Sequence, residues 1–246
     1  DSSWQQLTDE QRETLARVSV FAGGFSEKAA QEITHCNRKT LASLVEFFWL
    51  RLEQTRTSVR YTIHPLLRRY GREKLADAST ATNPLATELE RRHAEFFDQL
   101  LCAQSKGLNA VDDESFYQVD LEYQNMRQAW VWLRSNRSAA QVAHFVNTLQ
   151  LYCIYRNHRQ EAARLLESAL ALSTLAQEQR AQWQHLLVET RSKHERMHSA
   201  ERRGMPRIGI VDSTRMRSRW LKTLAPPPGA AGSKVARLPI PGTIRD

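Results

Sequence analysis

Nowhere in these 246 residues does a GxxxxGK-S/T phosphate loop occur. The backbone cradle and lysine that hold a nucleotide triphosphate are therefore missing, and the chain alone is not expected to hydrolyse ATP. No run approaches the ~18 apolar residues of a membrane helix. No N-terminal stretch has the basic, apolar, small-residue order of a signal peptide. Cysteine is scarce: Cys36, Cys102 and Cys153 are odd in number, far apart and outside any CxxC. That excludes a disulfide framework and a zinc knuckle and fits reduced thiols in the cytoplasm. No Gly-x-Ser-x-Gly elbow marks a nucleophile. The chain opens on Asp1-Ser-Ser-Trp without an initiator Met, as a piece of a longer protein would.

What is present is uneven. The net charge of +8 points at first to nucleic acid or an anionic surface. Residues 191–246, however, hold 13 Lys/Arg against 4 Asp/Glu, whereas residues 1–190 hold 22 against 23. Six of the eight prolines and five of the nine glycines also lie in that last quarter. The basic character belongs to the tail.

Hydrophobic periodicity divides the chain into four parts: a winged-helix domain over 1–78, a linker over 79–87, a TPR-like helical region over 88–190, and a basic tail over 191–246. In the first part Thr8 and Gln11 form a capping box, and Leu15 and Val18 begin an apolar stripe. Gly23-Gly24 ends that helix and Ser26 caps the next. A third helix from about Arg38 is expected to bury Leu41, Leu44, Val45 and Phe48. Trp49 to Leu52 reads as extended and Glu53 to Ser58 as a turn. Val59, Tyr61 and Ile63 alternate as in a half-buried strand. Pro65 suits the first position of a further helix, with Leu66, Leu67, Tyr70 and Leu75 on one face.

Beyond the linker the pattern is wholly helical. Its faces are Leu89, His93, Phe96, Phe97, Leu100 and Leu101, then Phe116, Tyr123, Met126, Trp130 and Leu133. Three more follow, from Val142 to Ile154, from Ala162 to Leu170, and through Trp183, Leu186 and Leu187. Short polar turns suit stacked antiparallel hairpins, although no clean 34-residue repeat emerges. The fold class is thus mainly α, a winged helix followed by a TPR-like helical region. From about Arg191 periodicity fails. Arg-rich stretches and Pro226-Pro227-Pro228 give the tail the composition of disorder, and a frame shift or alternative exon near residue 191 would produce such a break.

Three stretches resemble a known family. Leu15 to Ala30, LARVSVFAGGFSEKAA, and Val59 to Ala76, VRYTIHPLLRRYGREKLA, resemble the winged helix that follows the nucleotide-binding domain of STAND signalling NTPases. That family includes NB-ARC proteins and large bacterial transcriptional regulators. Glu122-Tyr-Gln-Asn125-Met126-Arg127-Gln-Ala129, with Trp132, resembles the E-x-x-N-L-R-x-A element that opens their helical-repeat region. Gly71 stands where the family has Ala, and Phe47-Phe48-Trp49 replaces a polar turn. The resemblance covers about residues 3–175. It implies the regulatory arm of an ATP-dependent switch, without catalysis of its own and without a cofactor in this chain, ATP or ADP belonging to the parent. Implied partners are the parent's nucleotide-binding domain and a protein or inducer on the helical repeats. It also implies a role for His64, which in the family reaches from the wing-to-helix junction to the diphosphate of ADP and holds the closed state. In this chain alone His64 can equally cap the helix that Pro65 begins.

Other chemistry is thinner. His194-Glu195-Arg196-Met197-His198 reads HERMH and matches the zinc-hydrolase string, without a visible third ligand. Trp130 and Trp132 read as core packing. Arg68, Arg69, Arg72, Lys74, Arg91 and Arg92 read as solvated helix faces. The alternative to a signalling arm is a DNA-binding winged-helix regulator. Its recognition helix, about Arg38 to Phe48, offers few base-edge readers, and residues 1–190 lack a basic footprint. Nucleic acid is then expected to bind only non-specifically, through the tail. No membrane partner is expected.

Overall fold

The structure, a computed structural model, describes residues 2–79 and 84–202, the side chains of 2, 3 and 193–202 apart. Thr8 opens α2 (Asp9–Val18), which follows a single turn, α1 (Ser2–Gln5). The Thr8 hydroxyl accepts from the Gln11 amide at 3.2 Å and Gln11 Oε1 accepts from the Thr8 amide at 2.8 Å, a complete capping box. Ser26 and Asn37 cap α3 (Glu27–Thr34) and α4 (Arg38–Glu46) in the same manner, each accepting from the third helical amide. Strands β1 (Leu50–Gln54) and β2 (Val59–Ile63) pair antiparallel with Leu52 opposite Tyr61. Phe25 adds a bridge to Tyr61, its amide and carbonyl both bonded at 2.9 Å. Pro65 begins α5 (Pro65–Asp77). Three helices, a hairpin wing and a further helix make a winged helix.

Its core is Leu15, Val18, Phe21, Phe25, Ile33, Leu41, Leu44 and Leu50, all at most 1% exposed. Phe21 and Phe25 stack at 4.3 Å, and Phe25 stacks in turn on Tyr61 at 5.7 Å. Where α5 crosses α2 the helices approach closely. A Cβ at Gly71 would lie 3.0 Å from Ser19 Cβ and 3.1 Å from the Leu15 carbonyl oxygen.

Three expectations about this part are corrected. Phe48 is not buried: helix α4 ends at Glu46, and Phe48 turns outward in the left-handed region with φ 61° and 88% exposure. Leu66 lies on the open face of α5, and Val59 at the wing tip is exposed too. In β2 the buried neighbour of Tyr61 is Arg60, so the strand does not simply alternate.

The helical region comprises α6 (Leu85–Ala110), α7 (Asp113–Asn136), α8 (Ala139–Tyr155), α9 (Arg159–Leu170) and α10 (Gln177–Arg202). Helix α6 packs on α7 and α8, and α8 packs on α9. Two turns use left-handed residues, Val111 after α6 and Asn157 after α8. Asp112 accepts from the Ser115 amide to start α7, and Ser138 with Gln141 boxes the start of α8. The large aromatics bury their rings and satisfy their polar ends. Trp130 Nε1 donates to Ser168 Oγ at 2.9 Å, and Trp183 Nε1 to Asn147 Oδ1 at 2.8 Å.

Residues Asp1–Met197 form one compact unit, so the winged helix and the helices after it pack as a body. Beyond Met197 the described residues are the end of α10. The basic tail beyond Arg202, with its expected disorder, lies outside the described residues.

Candidate functional site

The chain leaving α2 presents the carbonyls of residues 19–22 in sequence, and cations suit that helix C-terminus. Arg72 Nε donates to Ser19 O at 3.1 Å and its Nη2 to Val20 O at 3.2 Å. Arg68 Nη1 donates to Ala22 O at 2.6 Å. These two arginines of α5 therefore hold backbone rather than solvate a face, unlike Arg69 and Arg91, which pair with glutamates on their own helices. Burial lowers the pKa of Arg72.

From the other side α7 reads the same loop. Asn125, fully buried, accepts at Oδ1 from the amides of Ala22 (2.9 Å) and Gly23 (3.2 Å). Its Nδ2 donates to Gly24 O and to Glu122 Oε2, both at 2.9 Å. Glu122 Oε1 accepts from Arg60 Nη1 at 2.6 Å, and Arg60 Nη2 donates to Gly24 O at 2.6 Å. Gln128 Nε2 adds a bond to Val20 O at 2.7 Å. A Cβ at Gly23 would meet Gln124 Cβ at 3.2 Å, so α7 lies directly against the loop. Arg60 and Glu122 are an enclosed ion pair, side chains 7% and 6% exposed, with further bonds from Arg60 to backbone and from Asn125 to Glu122. Such a closed polar network rigidifies and fixes one docking register.

This interlock joins two stretches that are about a hundred residues apart. The spacing Glu122-x-x-Asn125 puts both side chains on one helical face, which sequence can show. Their partner Arg60, read as a polar position between strand neighbours, was not legible as a buried cation.

Behind the interlock lies His93 of α6, 1% exposed and packed on Phe97 at 4.6 Å and Phe21 at 5.7 Å. Burial pushes its pKa down to about 3, so the imidazole is neutral at ordinary pH. Burial likewise pushes the Cys153 thiol up to about 12, and Tyr123 Oη lies 3.6 Å from its sulfur. That thiol is inert rather than nucleophilic.

His64 sits elsewhere, exposed at the junction of β2 and α5. Its Nδ1 accepts from the Leu66 amide at 3.3 Å, so it is the N-cap of α5. Three apolar side chains of the winged helix are exposed, Phe47 at 61%, Phe48 at 88% and Leu66 at 71%. A bulky aromatic held at positive φ in solvent is an outlier of the kind found at binding sites.

Among the described residues no group of three or more His, Cys, Asp or Glu is placed to hold a metal ion. The side chains of His194, Glu195 and His198 lie outside the described residues. Among the described residues no helix is long and apolar enough to cross a membrane.

Comparison with known proteins gives a distant likeness. Matching curated relatives include two from Mycobacterium tuberculosis and one from Mycobacterium bovis, each named "Putative HTH-type transcriptional regulator". Each is 22% identical over 177 residues, covering 69% of this chain and 19% of the relative. The chain thus spans about a fifth of the length of the relatives it matches. No protein-family profile matches the chain. No solved structure matches it. The chain is a mainly helical protein with a distant likeness to proteins named as transcriptional regulators.

Proposed function

We propose that this chain is the regulatory and protein-interaction segment of a STAND-type, ATP-dependent transcription regulator in the cytoplasm, without catalysis of its own. Its TPR-like helices would carry a protein or inducer, and its winged helix would dock on a nucleotide-binding core outside this chain. The observation that carries the reading is the union of two of the stretches that resemble this family, Leu15–Ala30 and Glu122–Ala129. The Ala22-Gly23-Gly24 backbone is gripped by Asn125 within the Glu122–Ala129 element, which makes the winged helix and the helices one rigid arm. The exposed apolar side chains of Phe47, Phe48 and Leu66 support a docking role, with His64, two residues before Leu66, for the diphosphate of ADP. An imidazole N–H donating to a phosphate oxygen is a charge-assisted bond that opening of the switch would break.

The test mixes the chain with an ADP-loaded nucleotide-binding core of a STAND regulator supplied in trans. Binding that slows ADP release, and that Phe48→Ser and His64→Ala both weaken, is expected. Unchanged ADP release would refute the docking role.

The second reading, a DNA-binding winged helix, draws on the names of the relatives. Against it, the open side of α4 offers Arg38, Lys39, Ala42 and Glu46, with Arg38 paired to Glu27 at 3.5 Å. Two cations beside an acid are a poor base reader.

A further inference from the structure

The wing meets α7 at two places. At its base lies the enclosed pair of Arg60 and Glu122. At its tip the turn after β1 is closed by Thr55, whose amide donates to Ser58 O at 2.8 Å and whose hydroxyl accepts from the Ser58 amide at 3.1 Å. That turn presents Arg56 to the start of α7. The Arg56 amide donates to Tyr117 Oη at 2.9 Å, and its Nη2 donates to Glu114 Oε2 at 2.7 Å. The guanidinium lies over the Tyr117 ring, 4.1 Å from its centroid. Gln118 Nε2 donates to Glu114 Oε1 at 2.6 Å, which leaves Oε2 for the arginine. The two contacts are in register. Arg60 follows Arg56 by four residues of chain, at most about 13 Å, and Glu122 follows Glu114 by eight helical residues, about 12 Å. They differ in their solvent. The side chains of Arg56 and Glu114 are 58% and 51% exposed, so salt screens the tip and hardly reaches the base.

We propose that the wing is a strap across α7 with a fixed base and a releasable tip, which opens while the interlock beneath it stays closed. Such a small, solvent-facing unit belongs to the low-stability end of a fold. Closed, the tip masks the Tyr117 ring and neutralises Glu114. Open, it presents a cationic hairpin end on one side and an aromatic ring beside an acid on the other, without dismantling the arm. The contact is thus self-inhibitory for both surfaces. It lies wholly within this chain and holds whatever the winged helix docks on.

Amide exchange in the full chain tests this, with protection taken relative to a free peptide of the same turn. The Arg56 amide is expected to be protected at about 0.01 M potassium chloride and to lose about two- to fivefold of that protection at about 1 M, where the Debye length has fallen from about 30 Å to about 3 Å. The Ala22 and Gly23 amides, bonded to buried Asn125, should keep theirs. Glu114→Gln should give Arg56 its high-salt protection already at low salt and abolish the salt response, with Ala22 and Gly23 unchanged as the sign of an intact arm. An Arg56 amide unprotected at low salt would overturn the inference, as would protection that salt leaves unchanged. Equal loss at Arg56 and Ala22, or a wild-type salt response in Glu114→Gln, would do the same.

Discussion

Asn125→Ala removes the side chain that meets the Ala22–Gly24 backbone with both an acceptor and a donor. The substitution deletes four hydrogen bonds, two from the Ala22 and Gly23 amides and two from Asn125 Nδ2 to Gly24 O and Glu122 Oε2. Each buried group left without a partner costs about 1–3 kcal/mol. The Gly24 carbonyl and the Glu122 carboxylate keep Arg60 as a donor, so the full penalty falls mainly on the two amides. The expected loss is about 3–4 kcal/mol, at the upper end for a point mutation. Asn125→Asp is the sharper variant. It preserves an acceptor for both amides but sets a second carboxylate against Glu122 and the Gly24 carbonyl oxygen, so it should destabilise at least as much as Ala despite near-identical shape. Urea unfolding of residues 1–197 with amide exchange at positions 22 and 23 measures both. A loss under about 1 kcal/mol, or exchange at those amides unchanged relative to the core, would refute the interlock.

Other consequences follow from the same geometry. Glu122→Gln or Arg60→Met alone should cost about 3–5 kcal/mol by stranding a buried charge, and the double variant should recover part of it; a strictly additive double would contradict an enclosed pair. The imidazole of His93 has a folded pKa depressed to about 3 from 6.5, so between those values the unfolded chain binds the extra proton. Stability is then complete above pH 6.5 and falls as pH drops, by about 2 kcal/mol between pH 7 and pH 5. Unfolding curves of the wild type and His93→Gln should converge on lowering the pH, and parallel curves would contradict this. His64→Ala should cost this chain no more than about 1 kcal/mol, the value of an exposed N-cap, because its bond to Leu66 is solvent-facing.

Local chemistry was readable wherever cause and consequence lie within a few residues. The Thr8–Gln11 box, the Ser26 cap and Pro65 at a helix start are all decided by neighbours three or fewer positions away. The helical stripes through Phe116, Met126 and Trp130, and through Val142, Phe145 and Leu149, were legible for a related reason: one face packs and repeats. Reading failed where a distant partner decides. Arg60 is buried because Glu122 arrives 62 positions later, and Arg68 and Arg72 turn inward because the loop after α2 offers free carbonyls. Phe48 differs for another reason. The helical spacing of the sequence runs two residues past the end of α4, and at Phe48 the backbone turns left-handed and the ring swings out.

The central claim is that this winged helix is a packing and protein-docking domain rather than a reader of DNA. Duplex binding by residues 1–197 and by the full chain, measured against salt concentration with specific and scrambled sequences, tests it most directly. The account predicts no sequence-selective binding by residues 1–197, and binding by the full chain that is indifferent to sequence and falls steeply with salt. Selective binding by residues 1–197 that survives physiological salt would contradict it.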